Sequence, residues 1–545
     1  MKRFGILLVF GLFVVSLMAC QTITTSFSQT TDTSSVVSSY PTTLIPTTLP
    51  SSSATSTQSS TQGSTTIPTT SSPTTIPPTS NLTTSLNYEN IVVSGFSTNN
   101  SLRFSNISHM IAGWTTEHND IAQITVDDFF EYQPFMGAGA ALTLSAAYVI
   151  DQSPDRDAII QYLFSKEGLG INVVRLTVGA SDFVPAHIGH YTYNDRPNNV
   201  ADMNLEHFSI EQDRLIIDIL KEALLINPDI TFIAAPWSAP AWMKTNKNLY
   251  MGSLMTDKQN VYANYLIKYL QAMENEGIVI DYLSIQNEPF HAAYNYPSML
   301  WDRYLSTTFI ADFLGPKLLD LEMNTKIMIW DHNPVDNSGQ FEQYPLQVLR
   351  SAGAKFYVDS VGVHCYTGTH AQMKAYLQLL YEANPDIEIW MTECTATTQY
   401  KNIESNIAWS VKRMYLEAYN QFAMGTTYWN MVLDPAGSVH LGGCTNCTGL
   451  LSVPINGSSG FTVEADGYLT GHLTKTIPAG SRRIKTSSTI TTYTVTAFKS
   501  MDGVINLVVH NDGSARATTI LWRDSRFRVT LPANSITTLT WNLPN

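Results

Sequence analysis

The sequence predicts an α/β protein, a (β/α)8 barrel of the TIM type with an additional all-β sandwich domain. Three observations lead there. Between residues 135 and 430, short apolar runs alternate with amphipathic stretches, the pattern of parallel strands joined by helices. Eight such runs occur, and eight units without a Gly-rich phosphate loop after the first suit a closed barrel better than an open doubly wound sheet. Beyond residue 477 the helical pattern stops and alternating β segments replace it.

The elements follow in order. Met1-Lys2-Arg3 precedes an apolar run at 4–19, the charged start and short hydrophobic stretch of an export signal. That run is shorter than a stable membrane span. It ends in Leu17-Met18-Ala19-Cys20, which resembles a bacterial lipobox, so residues 1–20 are expected to be a lipoprotein signal peptide with Cys20 the acylated residue. The protein is thus expected outside the cytoplasm, secreted or held at the cell surface by a lipid anchor. Residues 21–87 are Ser, Thr and Pro with almost no charge, a composition too poor in apolar surface to offset chain entropy, and read as a disordered tether.

Residues 88–130 carry β-like pieces, with branched apolar residues recurring at 121–126, and are expected to join the β domain. The barrel is placed at 131–476, with strands at 135–143, 171–178, 230–235, 282–285, 326–330, 360–364, 387–393 and 425–430. Ser153 as a cap, Pro154 in the first turn and Gly168 at the close predict a helix over 153–168. Tyr262, Tyr265, Leu266, Tyr269, Leu270 and Met273 recur at helical spacing and predict a core-facing stripe. The sandwich is placed at 477–545, with strands at 490–498, 503–510, 517–522 and 535–541.

A net charge of −14 with no basic run beyond the start excludes a phosphate-backbone binder, so no nucleic-acid partner is expected. The 12 histidines show no ligand spacing and no nucleotide loop occurs, so neither metal nor cofactor is expected. Cys444-Thr-Asn-Cys447 is one C-x-x-C without a second pair; in an exported loop a local disulfide is the expectation.

In a barrel, chemistry sits where strands end at the C-terminal rim. Two carboxylates directly follow apolar strands, in Gln286-Asn287-Glu288-Pro289 and Met391-Thr392-Glu393-Cys394. Glycoside cleavage needs such a pair, one protonated to donate to the leaving oxygen and one ionised to attack the anomeric carbon. Glu288 is expected to have its pKa raised by an ionised Glu393 nearby.

Asn287-Glu288-Pro289 and Thr392-Glu393-Cys394 resemble the motifs of glycoside hydrolase family 30, the glucocerebrosidase-like enzymes. Further matches are Val174-Arg175-Leu176, Ser181-Asp182-Phe183, Ala235-Pro236-Trp237-Ser238, Val363-His364-Cys365-Tyr366, Tyr428-Trp429-Asn430 and Gly471-His472-Leu473. The resemblance implies Glu288 as acid/base, Glu393 as nucleophile and net retention. It implies sugar- or nucleophile-contacting roles for Arg175, Trp237, Asn287, His364, Tyr366, Trp429 and Asn430. Tyr294, Tyr296 and the loop 331–344 are expected at the rim. The family's first strand usually ends in an Asp that binds outer sugar hydroxyls; here Leu144 stands in its place, so either the sugar is not glucose or another loop supplies the carboxylate.

The resemblance therefore implies a retaining β-glycosidase acting on a β-linked glycoside, oligosaccharide or glycolipid, glucosylceramidase-like. Endo-β-1,6-glucanase, β-xylosidase and β-fucosidase activities are the alternatives within the family. A non-catalytic carbohydrate-binding lipoprotein is the alternative outside it, and it has no need of an acid and nucleophile pair.

Overall fold

The computed structural model describes residues 88–543 apart from 337, 400 and 401. The signal peptide, Cys20 and the tether lie outside the described residues. Four strands come first: β1 (Ser94–Thr98), β2 (Ser105–Asn106), β3 (Ile111–Thr115) and β4 (Gln123–Pro134). The barrel strands follow as β5 (Gly137–Ala141), β6 (Val173–Val178), β7 (Thr231–Pro236), β8 (Tyr282–Ser284), β9 (Lys326–His332), β10 (Val358–His364), β11 (Glu388–Glu393) and β12 (Ala423–Tyr428). They close in the order β10-β11-β12-β5-β6-β7-β8-β9, and every pairing is parallel.

Burial explains the apolar runs. Every residue of β6 is buried, as expected of a strand covered on both faces. The small residues of β5 have a packing reason: a Cβ on Gly139 would stand 1.8 Å from the Val173 carbonyl oxygen. On β12, a Cβ on Gly425 would meet the Trp390 ring at 2.2 Å, so the tryptophan takes the space the glycine leaves.

Three short strands follow the barrel: β13 (Val432–Leu433), β14 (Leu451–Ser452) and β15 (Thr462–Val463). The last six are β16 (Arg482–Ser488), β17 (Tyr493–Lys499), β18 (Ile505–Asn511), β19 (Arg516–Trp522), β20 (Ser525–Leu531) and β21 (Ser535–Trp541). With β1 to β4 they form one ten-stranded order, β2-β1-β21-β18-β17-β16-β4-β19-β20-β3. β4 lies between β16 and β19, and β1 pairs antiparallel with β21, so both ends of the described chain build this domain. Its core joins Ile124 and Val126 to Ile484, Trp522 and Trp541. Each such side chain contributes about 1.5–3 kcal/mol by leaving water.

The helix Ala465–Thr474 is buried along its whole length. His472 on it bonds Thr538 Oγ1 at 2.9 Å and Thr98 Oγ1 at 3.0 Å, tying the helix to two sandwich strands. Burial pushes this imidazole down to about 3, so it stays neutral. The tyrosine stripe lies on the helix Gln259–Asn275, with all six residues buried. The helix expected from 153 begins later, at Arg156, because Ser153 Oγ accepts from the Asp155 amide and closes a turn first. Among the described residues, no helix is long and apolar enough to cross a membrane.

Candidate active site

The C-terminal ends of the barrel strands surround a cavity of about 740 Å³, lined among others by Asp182, Trp237, Asn287, Glu288, Tyr366 and Glu393. The strand ends are bent to aim these side chains. Glu288, Trp330, Asp331 and Asn430 all hold φ between 46° and 72°, the left-handed region that costs a non-glycine residue about 1–3 kcal/mol. Backbone bonds hold the bends in place: the Glu288 amide donates to the Asp331 carbonyl at 3.0 Å, and the Asn287 amide to the Pro236 carbonyl at 2.9 Å.

Arg175 organises the base of the site. Its guanidinium, 1% exposed, donates to Glu393 Oε2 at 2.6 Å, to Asn287 Oδ1 at 2.7 Å and to Asp331 Oδ2 at 3.0 Å. The same guanidinium lies over the rings of Trp237 and Trp429, which stack on each other with centroids 5.3 Å apart. Tyr366 donates its hydroxyl to Glu393 Oε1 at 3.0 Å. Burial and the charges of Glu393 and Glu288 push this phenol well above its ordinary value, so it remains a donor.

His364 links the two glutamates. Its Nδ1 lies 3.1 Å from Glu288 Oε1 and 3.8 Å from Glu393 Oε1, while Nε2 bonds Asp331 Oδ1 at 3.2 Å. Burial acts against its charge, but Glu393, Asp331 and Glu288 outweigh burial and raise its pKa to about 9. His332 Nδ1 lies 3.3 Å from the same Glu288 oxygen. The sequence-based expectation of a raised Glu288 pKa is therefore reversed: burial pushes it up, but His332 and His364 prevail and hold it well below the usual glutamate value. Glu288, His332 and His364 thus bring one polar atom each within 4.8 Å of the others. The loop after β8 supplies Glu288, while β9 and β10 supply the two histidines, so no spacing in the sequence reveals the group.

Three residues expected to contact the sugar stand behind the cavity wall. Arg175 and His364 reach it through the glutamates. Asn430 is fully buried and accepts from Thr143 Oγ1 at 2.9 Å. Tyr294 and Tyr296 line the cavity, as do His332 and Asn333 from the 331–344 loop. Trp242 is a core residue, donating its Nε1 to Asn194.

Leu144 begins the helix Leu144–Asp151, capped by Thr143, and packs into the barrel core instead of facing the cavity. Asp182, in the loop after β6, brings a carboxyl to the cavity wall. The motif Ser181-Asp182-Phe183 held the signal: a carboxylate soon after an apolar strand. Burial first, then the charges of Glu393 and Glu288, push Asp182 up to about 8, so at neutral pH it is a carboxylic acid able to donate.

Two disulfides flank the site. Cys444–Cys447 staples the loop that covers Asp182, where the Leu441 amide donates to the Asp182 carbonyl at 2.8 Å. Cys365–Cys394, for which the sequence offered no pairing, joins the residue after His364 to the residue after Glu393.

A closed parallel barrel that gathers two strand-end glutamates around one cavity belongs to the glycoside-cleaving class of barrel enzymes. The glycosyl hydrolase family 30 TIM-barrel domain matches residues 135–447, and the family's beta sandwich domain matches residues 480–539. An endo-1,6-β-D-glucanase of Aspergillus fumigatus is 28% identical over 456 residues, 78% of this chain and 88% of that one. The lysosomal acid glucosylceramidase of Mus musculus is 27% identical over 440 residues, 77% of this chain and 83% of that one. The solved structure of an endo-β1,6-glucanase superimposes with a TM-score of 0.74 at 28% identity, covering 83% of this chain and 99% of that one. The chain belongs to glycosyl hydrolase family 30 and is a glycoside hydrolase.

Proposed function

We propose that this enzyme cleaves a β-linked glucoside with net retention, with Glu393 as nucleophile and Glu288 as acid/base. The carrying observation is that both carboxylates neighbour one imidazole nitrogen, at 3.1 and 3.8 Å. That shared neighbour caps the Oε1 to Oε1 separation at about 7 Å, compatible with the short spacing of retaining enzymes, about 5 Å, and too short for most of the range that inverting enzymes use. Glu393 attacks the anomeric carbon while a proton passes from Glu288 to the departing oxygen. Water then donates its proton to Glu288 and displaces Glu393 from the sugar. Trp237, Trp429 and Asp182 hold the reacting sugar, the rings against its apolar face and the carboxyl against its outer hydroxyls.

The substrate read here is β-1,6-linked glucan, supported by the endo-1,6-β-glucanase relatives, in sequence and in structure. Glucosylceramide is the second reading, supported by the glucosylceramidase relative. The leader at residues 1–20 supports export, and Cys20 is the proposed lipid attachment, placing the enzyme at the cell surface on the 21–87 tether.

The test offers β-1,6-glucan, glucosylceramide and aryl β-glucoside, β-xyloside and β-fucoside to the full chain, following the first-formed anomer by NMR. Release of the β-anomer from β-1,6-glucan supports the reading. An α-anomer as first product would sink retention, and hydrolysis of glucosylceramide alone would transfer the assignment to the second reading.

A further inference from the structure

Glu288 is held asymmetrically. His364 Nδ1 at 3.1 Å, His332 Nδ1 at 3.3 Å and Asn333 Nδ2 at 3.4 Å all address Oε1, and among the described residues no donor or cation addresses Oε2. A carboxyl clamped on one oxygen carries its proton on the other. Glu288 lines the cavity, and the clamp on Oε1 leaves Oε2 as the oxygen open to a leaving group there.

His332 reaches this position by a local irregularity of β9. In a regular strand, consecutive residues point to opposite faces, so Asp331 and His332 would not share a site. Here Gly362 of β10 pairs with Trp330 and the adjacent Val363 pairs with His332, leaving Asp331 bulged out of register. Trp330 and Asp331 both take left-handed φ, 72° and 51°. The bulge turns both side chains to the site: Asp331 meets Arg175 and His364, and His332 meets Glu288. The His332 ring is then fixed against Phe341, with centroids 4.6 Å apart, and is 4% exposed. Backbone strain that delivers one side chain to a reacting carboxyl is the kind that persists because function needs it.

We propose that His332 is a positioning residue for the acid/base, acting with His364 to fix Glu288 Oε1 so that Oε2 presents the transferable proton to the leaving group. This rests on the reading of Glu288 as acid/base. Other groups face the same carboxyl. From β9 and β10 come Asp331, through His364, and Tyr366; from β11 comes Glu393. From β6 and its loop come Arg175 and Asp182, and His291 lies on the Glu288 loop itself. Of these groups, the two imidazoles contact Glu288 directly, through His364 Nδ1 at 3.1 Å and His332 Nδ1 at 3.3 Å. Burial lowers the His332 pKa against the pull of Glu288, so the ring is neutral, and we assign its proton to Nδ1, the nitrogen that faces Glu288 Oε1.

The test compares two aryl glycosides of the sugar the enzyme accepts, one with a dinitrophenyl leaving group that departs without a proton and one with a phenyl group that needs it. In the full chain, His332→Ala is expected to lose about tenfold or more in kcat/KM on the phenyl glycoside and less than about twofold on the dinitrophenyl one. Its basic limb should move to higher pH, because a carboxylate that loses a donor binds its proton more tightly. His332→Asn, whose amide nitrogen replaces Nδ1, should recover both. Equal losses on the two substrates with an unmoved limb would reduce His332 to a structural residue and overturn the inference. If the alanine variant does not fold, an asparagine variant that loses equally on the two substrates with an unmoved limb overturns it equally. Glu288→Gln in the same assay separates the two levels: no leaving-group dependence there defeats the acid/base reading itself.

Discussion

A Cβ on Gly443 would stand 1.9 Å from Asp182 Oδ2, so the stapled loop and this carboxyl are packed without room for a methyl group. Gly443 also holds φ +63°, a conformation that L side chains rarely adopt. The loop thereby sets where Asp182 points into the cavity. Gly443→Ala is expected to displace the carboxyl and raise KM by about tenfold, the loss of about one charge-assisted or well-formed hydrogen bond, with a smaller change in kcat. Steady-state kinetics beside a melting curve checks this; an unchanged KM in a folded variant would detach the loop from sugar binding.

The protonation of Asp182 makes a second prediction with a definite sign. Its pKa is about 8 in the folded protein against an ordinary value of 3.8, so the folded state keeps a proton that the unfolded chain gives up. That contribution is complete below about 4 and is lost as pH rises toward 8. Asp182→Asn retains a neutral donor and lacks the titration. The melting temperature of Asp182→Asn relative to the parent should therefore climb between pH 5 and pH 8, and a flat difference would show that Asp182 is not neutral there. Asp182→Asn should also keep more affinity than Asp182→Ala.

These residues show how far the sequence reaches. The eight barrel strands are legible because both faces are buried, and the glutamates because each ends such a strand. Two sandwich strands escaped: β16 and β20 carry Arg482, Lys485 and Arg528 on exposed positions and Arg526 on a half-buried one, which breaks the apolar signal. His332 and Asp331 escaped because only a bulge, set by tertiary pairing, brings neighbours in sequence to the same site. Asp182 stood in a quoted motif, but nothing local revealed that the 440–447 loop would bury it.

Leu144 offers a direct contest between the sequence expectation and the fold. If an acid at this position bound sugar hydroxyls, Leu144→Asp would sharpen sugar selectivity. The structure predicts otherwise, since the side chain is 3% exposed and packed in the barrel core. An unpaired carboxyl there is expected to destabilise the protein by several kcal/mol, about 3 or more, and to leave the relative rates on different aryl glycosides unchanged in the folded fraction. Altered selectivity at unchanged melting temperature would restore the original reading.

The two disulfides should separate stability from binding. Cys365–Cys394 spans 29 residues, and the chain-entropy model assigns such a link about 3–4 kcal/mol; Cys444–Cys447 spans 3 and constrains little of the unfolded chain. Cys365 lies between His364 and Tyr366, and Cys394 follows Glu393, so the first link also ties the strand ends that aim the Tyr366 hydroxyl at Glu393. Replacing Cys365 and Cys394 by Ala is expected to lower the melting temperature markedly and to reduce kcat by about tenfold through loss of alignment. Replacing Cys444 and Cys447 should leave the melting temperature close to the parent and act on KM, because that loop covers Asp182 and lines the cavity. Calorimetry with steady-state kinetics on both double variants decides the point. If both pairs lowered kcat and spared KM, the stapled loop would have no part in holding the sugar.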